Sequence, residues 1–379
     1  MSKRKKDIIL SAAAGAAVAF AGTSIFYNLK YHDLDAFRQA DYFIDKYFYS
    51  DNEVNKDQLV EGALSGYIGA LDDKYSRYMT KVQTYESTNT QAGIQTGIGI
   101  TVSLSEDNYL CVEEVNDDSP ASRGGLKKGD IIIQIDGNDV AETGYNESVN
   151  MIKLKQDNSD VSVTVRRGTE MLDFTLKTEN MEIKTVDSKM LENNTGYISI
   201  SRFNEKTPEQ MNKALDSLIA SGAKGIIFDV RNNGGGLVTS VEKCLDPLLP
   251  KGDIAVAIYK NGKSDTIVRS DANELDMPMA VLTNEYSASG AELFSASLRD
   301  FKQVPLIGKN TYGKGVMQDT FMLSDSGSVT LTVAKYKTVK SDCYHGVGLK
   351  PDYEIEDDES TQTDEQLDAA IKVIKEKIS

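Results

Sequence analysis

Residues 283 to 300, TNEYSASGAELFSASLRD, carry four serines. A serine becomes a nucleophile when it is exposed beside a group that takes its proton. The apolar run MAVLTN before this stretch predicts a strand, and AELFSASLRDF predicts a helix. Ser289 then falls in a small-residue turn from strand to helix, where a hydroxyl can be held at a helix N-terminus. The same residues also read as an ordinary helix start, because Ser289-Gly290-Ala291-Glu292 is an S-x-x-E capping box. Ser295 and Ser297 lie inside the helix as packing residues. Histidine, the usual proton acceptor, occurs twice, as His32 and His345.

Two further stretches have chemistry in their spacing. FDVRNNGGGLV, residues 228 to 238, ends a strand with Gly234, Gly235 and Gly236. Successive glycines let backbone N–H groups converge on one developing anion, or simply make a turn. GKNTYGKGVMQ, residues 308 to 318, imitates a Walker A loop, but Gly315 stands where a magnesium-binding hydroxyl belongs. VMQDTFML after it alternates like a strand, where a P-loop needs a helix, so no nucleotide site is expected. Lys314, between two glycines in an uncharged stretch, is either solvated or buried. If buried, it loses charge by desolvation and serves as a base.

The elements that must hold these residues follow from periodicity. Residues 33 to 80 read as helices, with Leu59, Ala63, Tyr67 and Leu71 on one buried face and the tyrosines as core. From Gly93 short β-rich runs alternate with turn residues, and a helix-like stretch lies at YNESVNMIKLK. From residue 182 strands alternate with helices, as in an α/β layer. TPEQMNKALDSLIASG is predicted to start on a Thr207 cap with Gln210 completing a capping box, and to stop at Gly222. The tail helix from Asp364 presents Leu367, Ile371, Ile374 and Ile378 on one face, which packs on the core or on a second subunit, so a homodimer is one expectation.

Of the 379 residues, 40% are apolar and 26% charged, which describes a folded protein of two or three domains. A net charge of -16 argues against nucleic-acid partners. Cys111, Cys244 and Cys343 are too scattered for a disulfide framework, and there is no HExxH or CxxC, so no metal or cofactor is expected. Lys3 to Lys6 precede a run of 22 uncharged residues, Ile8 to Leu29. Such a run predicts a single-pass anchor with the body of the protein outside the cell membrane. The other reading is a signal peptide cut after Ala19-Phe20-Ala21, with the protein secreted.

The order of GIIFDVRNNGGGL, NEYSASGAEL and TYGKGVMQ resembles the carboxyl-terminal processing proteases, or tail-specific proteases, of serine peptidase family S41. ALDDKYSRYM, GIGITV with DSPASRGGLKKGDIIIQIDG, and HGVGLKPDYEI resemble the family's helical N-terminal motif, its PDZ domain and its closing stretch. The resemblance implies a multidomain α/β fold whose core resembles the ClpP/crotonase-like fold. Its parts would be a stub and anchor over 1–30, a helical region over 31–90, an inserted PDZ domain over 91–181, a catalytic domain over 182–358 and a C-terminal helix over 359–379. It implies Ser289 as nucleophile, Lys314 as general base, Gln318 orienting that lysine, and the N–H groups of Gly235 and Gly290 as oxyanion hole. Here S-A-S-G-A-E departs from the family's S-A-S-A-S-E at Gly290 and Ala291. Gly97, Ile98, Gly99 and Ile100 would bind a substrate's C-terminal carboxylate in the PDZ domain. The implied activity is an exported serine endopeptidase acting on protein or peptide substrates with free C-termini, without cofactor. The rival reading is an inert PDZ scaffold.

Overall fold

The computed structural model describes residues 35–50, 53–271, 274–356 and 363–378. The expected anchor and His32 lie outside these residues. Among the described residues no helix is long and apolar enough to cross a membrane.

The described residues up to Gly62 form a unit of their own. It contains α1 (Asp35–Tyr47) and the start of α2 (Lys56–Gly69), where the Lys56 ammonium pairs with Asp41 at 2.5 Å and with Asp45.

The described residues from Ala63 onward form the second unit. The end of α2 buries Leu64 and Ile68 against Tyr78, Val329 and Leu331. The face expected to be buried is exposed instead at Leu59, Tyr67 and Leu71. Leu64 and Ile68 are also one turn apart, and a β-hairpin supplies the apolar surface on their side. After β1 (Arg77–Met79) comes α3 (Lys81–Ala92), bracketed by a Thr80–Gln83 capping box and a left-handed Gly93.

A β-rich insertion follows, with β2 (Ile94–Gly97), β3 (Ile100–Leu104), β4 (Leu110–Val115), α4 (Pro120–Gly124), β5 (Ile131–Ile135), β6 (Asn138–Asp139), α5 (Val140–Thr143), α6 (Tyr145–Lys153), β7 (Asp160–Arg167), β8 (Glu170–Lys177) and β9 (Glu179–Glu182). The main sheet runs β3-β4-β5-β7-β8, all antiparallel, and β3 is an edge strand. Val161, Val163 and Val165 alternate inward to its core. β2 pairs with β9, so the chain enters and leaves this insertion side by side.

The remainder is an α/β layer with β10 (Val186–Met190), β11 (Thr195–Ile200), α7 (Thr207–Ala220), β12 (Gly225–Asp229), α8 (Val238–Leu245), β13 (Gly252–Tyr259), β14 (Ser264–Ser270), β15 (Met279–Thr283), α9 (Gly290–Lys302), β16 (Leu306–Gly308), β17 (Val316–Met322), β18 (Ser328–Thr338), β19 (Tyr353–Glu354) and α10 (Glu365–Ile378). One sheet has the order β10-β11-β12-β15-β16-β19 and is parallel from β11 onward. Its central strands are buried on both faces, as parallel strands are. Ile226, Phe228 and Val281 point into the core beneath α7, α8 and α9. Ile227, Ala280, Leu282 and Ile307 point the other way, onto Ala370, Val373 and Ile374 of α10. The apolar face of the tail helix thus packs on the sheet of its own chain. A second sheet, β1-β18-β13-β14 with β17 on β18, stands beside the first.

The start of α7 differs from expectation. Thr207 is its first helical residue and Lys206 its cap. Asn204 Oδ1 accepts the N–H groups of Lys206 and Thr207 at 2.9 and 3.0 Å. Gln210 instead accepts from the Thr185 and Val186 N–H groups at 2.8 and 3.2 Å, because the strand entering the layer leaves those donors open there. Gly222 stops the helix with φ +91°, as the sequence predicts.

Candidate active site

Ser289 sits between β15 and α9, at the C-terminal edge of the parallel sheet. Its φ of 55° and ψ of -114° are strained for a side-chain-bearing residue. The strain is held from both sides. Ser287 Oγ donates to the Val230 carbonyl at 2.7 Å, and the Ala288 N–H donates to the Asn233 carbonyl at 2.9 Å. The capping-box expectation is met on the glutamate side: Glu292 accepts the Ser289 N–H at 2.8 Å. Ser295 and Ser297 are buried inside α9, as expected.

The glycine loop after β12 leans on this elbow. A Cβ on Gly235 would come within 2.8 Å of Gly290 N, Ala288 O and Ser289 Cβ, and Gly235 has φ +101°. Only glycine allows that approach. The Gly235 N–H, however, donates to Asn233 Oδ1 at 2.8 Å, and its carbonyl accepts from Phe203 N–H at 3.0 Å. The expected oxyanion donor is therefore already paired within its own loop. The bridge between Phe203 and Gly236 turns the Gly236 N–H the other way. It lies 3.2 Å from where a Gly290 Cβ would stand. Among the described residues neither Gly236 N–H nor Gly290 N–H has a backbone acceptor.

Lys314 lines the same cleft of about 1050 Å³ as Ser289, Gln318, Gly234, Gly235 and Gly236. Its ammonium lies 4.8 Å from the Tyr75 ring centroid. Burial, and next the positive charge of Arg77, push its pKa below the usual lysine value, while Asp73 and Glu292 pull the other way. The uncharged surroundings read from the sequence are thus charged in space, because Asp73, Lys74 and Arg77 arrive from the segment leading into β1. Among the described residues no hydrogen bond joins Lys314 Nζ to Ser289 Oγ or to Gln318. The Gln318 amide nitrogen donates instead to the Val316 carbonyl at 3.3 Å and Thr332 Oγ1 at 3.2 Å.

Four site residues carried no sequence signal for a role in this cleft. Tyr75, read as core, lies under the lysine; Arg77 tunes it. Tyr336 is 2% exposed, and its hydroxyl reaches Ser289 Oγ at 3.4 Å and the Lys314 carbonyl at 3.0 Å. Burial raises its pKa, so the phenol stays protonated. Glu292, read only as a cap, touches both loops. His345 is beside Gly315, with its ring 6.2 Å from that of Tyr75, and is not part of the cleft wall.

Comparison with known proteins matches residues 194–355 to peptidase family S41, 96–178 to the PDZ domain and 13–83 to the N-terminal domain of the activating protease CtpB. The chain is 35% identical over 305 residues to the carboxy-terminal processing protease CtpA of Bacillus subtilis. The chain carries a peptidase domain of family S41 with a PDZ domain ahead of it. A CtpA-like serine protease of Staphylococcus aureus is 32% identical over 306 residues. These alignments take in 80% of the chain but 65% and 61% of the relatives' own lengths. The fold matches that of a photosystem II D1 C-terminal processing protease with TM-score 0.50, at 23% identity over 89% of this chain and 90% of that one. A Bacteroides fragilis protein assigned to the S41 proteases gives TM-score 0.51, at 18% identity over 87% and 94%.

In the S41 chain's PDZ domain, a cavity of about 300 Å³ opens beside the edge strand β3, lined by Gly97, Ile98, Gly99, Ile100, Val102, Val149 and Ile152. Among the described residues the N–H groups of Ile98 and Gly99 have no backbone acceptor. Ile98 is 2% exposed, so its side chain belongs to the domain core rather than to an open pocket. Gly99 must be glycine, since a Cβ would fall 2.2 Å from Ser119 Cβ; Gly97 has only a 3.6 Å neighbour. The Tyr145 hydroxyl donates to the Val102 carbonyl on the free edge at 3.3 Å.

Proposed function

We propose that the chain is a serine endopeptidase with a Ser289–Lys314 dyad that cuts protein substrates near their C-termini. The observation that carries this reading is a strained, cleft-facing serine sharing one cleft with a half-buried lysine whose ammonium form is disfavoured. Lys314 swings from the Tyr75 face to Ser289 Oγ when substrate enters, and Gln318 then orients it. Apo sites often tighten in this way. Ser289 Oγ attacks the scissile carbonyl while Lys314 Nζ takes its proton. The tetrahedral oxyanion is held by the N–H groups of Gly290 and Gly236. Collapse expels the amine, which takes the proton back from Lys314, and water then releases the acyl group by the same route.

The PDZ domain presents the free N–H groups of Ile98 and Gly99 to a substrate's terminal carboxylate, with the peptide added along β3 in place of the Tyr145 hydroxyl. The basic, then apolar, N-terminus anchors the protein on the extracytoplasmic face of the cell membrane.

A Lys314 ammonium held over the Tyr75 ring, with no hydrogen bond to Ser289 among the described residues, is also what an inert PDZ scaffold would show. A serine-directed acylating probe separates the two. The wild type should label, and Ser289→Ala should not. A folded wild type that neither labels nor cuts peptides would leave the scaffold reading.

A further inference from the structure

We propose that Glu292 is the positioning residue that fixes nucleophile and base relative to one another, a reading that rests on the dyad proposed above. Its side chain is fully buried at the first turn of α9. Oε1 accepts from Thr311 Oγ1 at 2.6 Å and from the Gly313 N–H at 2.7 Å. Oε2 accepts the N–H groups of both Ser289 and Lys314, each at 2.8 Å. One carboxylate oxygen therefore stands between the backbones of the two dyad residues.

Four donors converge on this carboxylate. A buried carboxylate needs such charge-assisted bonds to remain ionised, and a helix N-terminus favours it further. The same loops are also joined by the Tyr312 N–H to the Ser287 carbonyl at 3.0 Å, and by the Tyr336 hydroxyl to Ser289 Oγ and the Lys314 carbonyl. Among the described residues only Glu292 binds the amides of both reacting residues. Because the Ser289 N–H is held there, it does not serve the oxyanion, which leaves Gly290 and Gly236 for that task.

The carboxylate also acts through charge. Asp73, Lys74 and Arg77 face Lys314 from the segment entering β1, and the Tyr75 ring lies against its ammonium. From α9 the negative Glu292 favours the lysine's charged form, the form it takes once it holds the serine proton. Neutralising Glu292 lowers the lysine's pKa further, so the rising limb of the activity–pH curve moves to lower pH.

The test compares Glu292→Gln, Glu292→Asp, Thr311→Val and Ser289→Ala on one peptide substrate, with thermal unfolding of each. Glu292→Gln should lower kcat roughly 10²-fold with KM nearly unchanged, the cost of a misplaced reacting group, and shift the rising limb to lower pH. Glu292→Asp keeps the charge and should leave the limb in place. Thr311→Val removes one hydrogen bond to the carboxylate and should lower kcat by roughly tenfold with no limb shift. Wild-type kcat in a folded Glu292→Gln, or a loss of kcat with an unmoved limb, would overturn the proposal. If Glu292→Gln does not fold, wild-type kcat in Thr311→Val overturns it, and reduced kcat at unchanged unfolding temperature supports it. If Ser289→Ala stays active, the dyad itself is wrong and this proposal falls with it. If Ser289→Ala is dead while Glu292→Gln is fully active, only this proposal falls.

Discussion

Arg77 is the residue whose charge most directly helps to keep the proposed base neutral. With the folded pKa of Lys314 depressed, the active, neutral form is present above that pKa and lost as pH falls through it. Replacing Arg77 by Gln removes a neighbour that lowers it, so the rising limb should move to higher pH and turnover at neutral pH should drop. A limb that stays put or moves to lower pH in Arg77→Gln would mean that the limb reports another group. His345 is the natural suspect, lying beside the same tyrosine. His345→Gln should leave the shape of the profile unchanged, and loss of the limb in that variant would make histidine the base. Ser289→Ala and Lys314→Ala should each cost roughly 10³-fold or more in kcat, and the double variant little beyond either, because the pair works as a unit.

At the scale of elements, the glycine loop after β12 matters for how closely it approaches the turn into α9. Gly235→Ala combines φ +101° with Cβ contacts of 2.7 to 2.8 Å against the elbow's backbone and Ser289 Cβ. It should destabilise the fold by about 1–3 kcal/mol and cut kcat by roughly 10²-fold. Gly234→Ala meets nothing within 4 Å and should stay within about 0.5 kcal/mol of wild type. Urea midpoints and turnover of the pair check this; equal behaviour would show that the close approach is unimportant. The same loop is clamped to α10. Arg231 bonds Asp229 at 2.6 Å and Asp364 at 2.8 Å. Burial alone would raise the Asp364 pKa, but its bonds to Arg231 hold it below the usual carboxylate value. Its contribution is therefore present above the unfolded pKa and lost as pH falls through the folded one. Asp364 is 39% exposed, so screening limits the loss in Asp364→Asn to on the order of 1 kcal/mol near neutral pH. The difference from wild type should shrink in acid, and a constant difference would exclude the ion pair as its cause.

For the molecule as a whole, the question is whether the PDZ groove reads the end of the substrate. One peptide with a free acid and one with an amide end should differ roughly ten- to hundredfold in kcat/KM, the worth of a charge-assisted set of hydrogen bonds. Gly99→Ala puts a Cβ into Ser119 at the proposed carboxylate loop and should bring the acid down to the amide's level without touching the dyad. If the wild type cuts both peptides equally well, the PDZ domain has no part in choosing them.

The sequence by itself determined what is local. The period-2 valines of β7, the apolar runs within β12 and β15, the Gly222 stop and the serine elbow each depend on neighbours a few residues away. So do the motifs that placed the chain in its family. The tertiary structure decided whatever joins distant segments. Which face of α2 is buried depends on a hairpin more than 250 residues away, and Leu64 with Ile68 won over Leu59 with Tyr67 for that reason. The tail helix was amphipathic in sequence, but only the sheet beneath it showed that its apolar face is filled from within the chain. The capping glutamate became a bridge between two loops because β15 and β16 are parallel neighbours, which brings the ends of both strands, and the loops after them, to one edge. Tyr336 and Arg77 reach the serine and the lysine by the same kind of long-range convergence, which one-dimensional spacing does not encode.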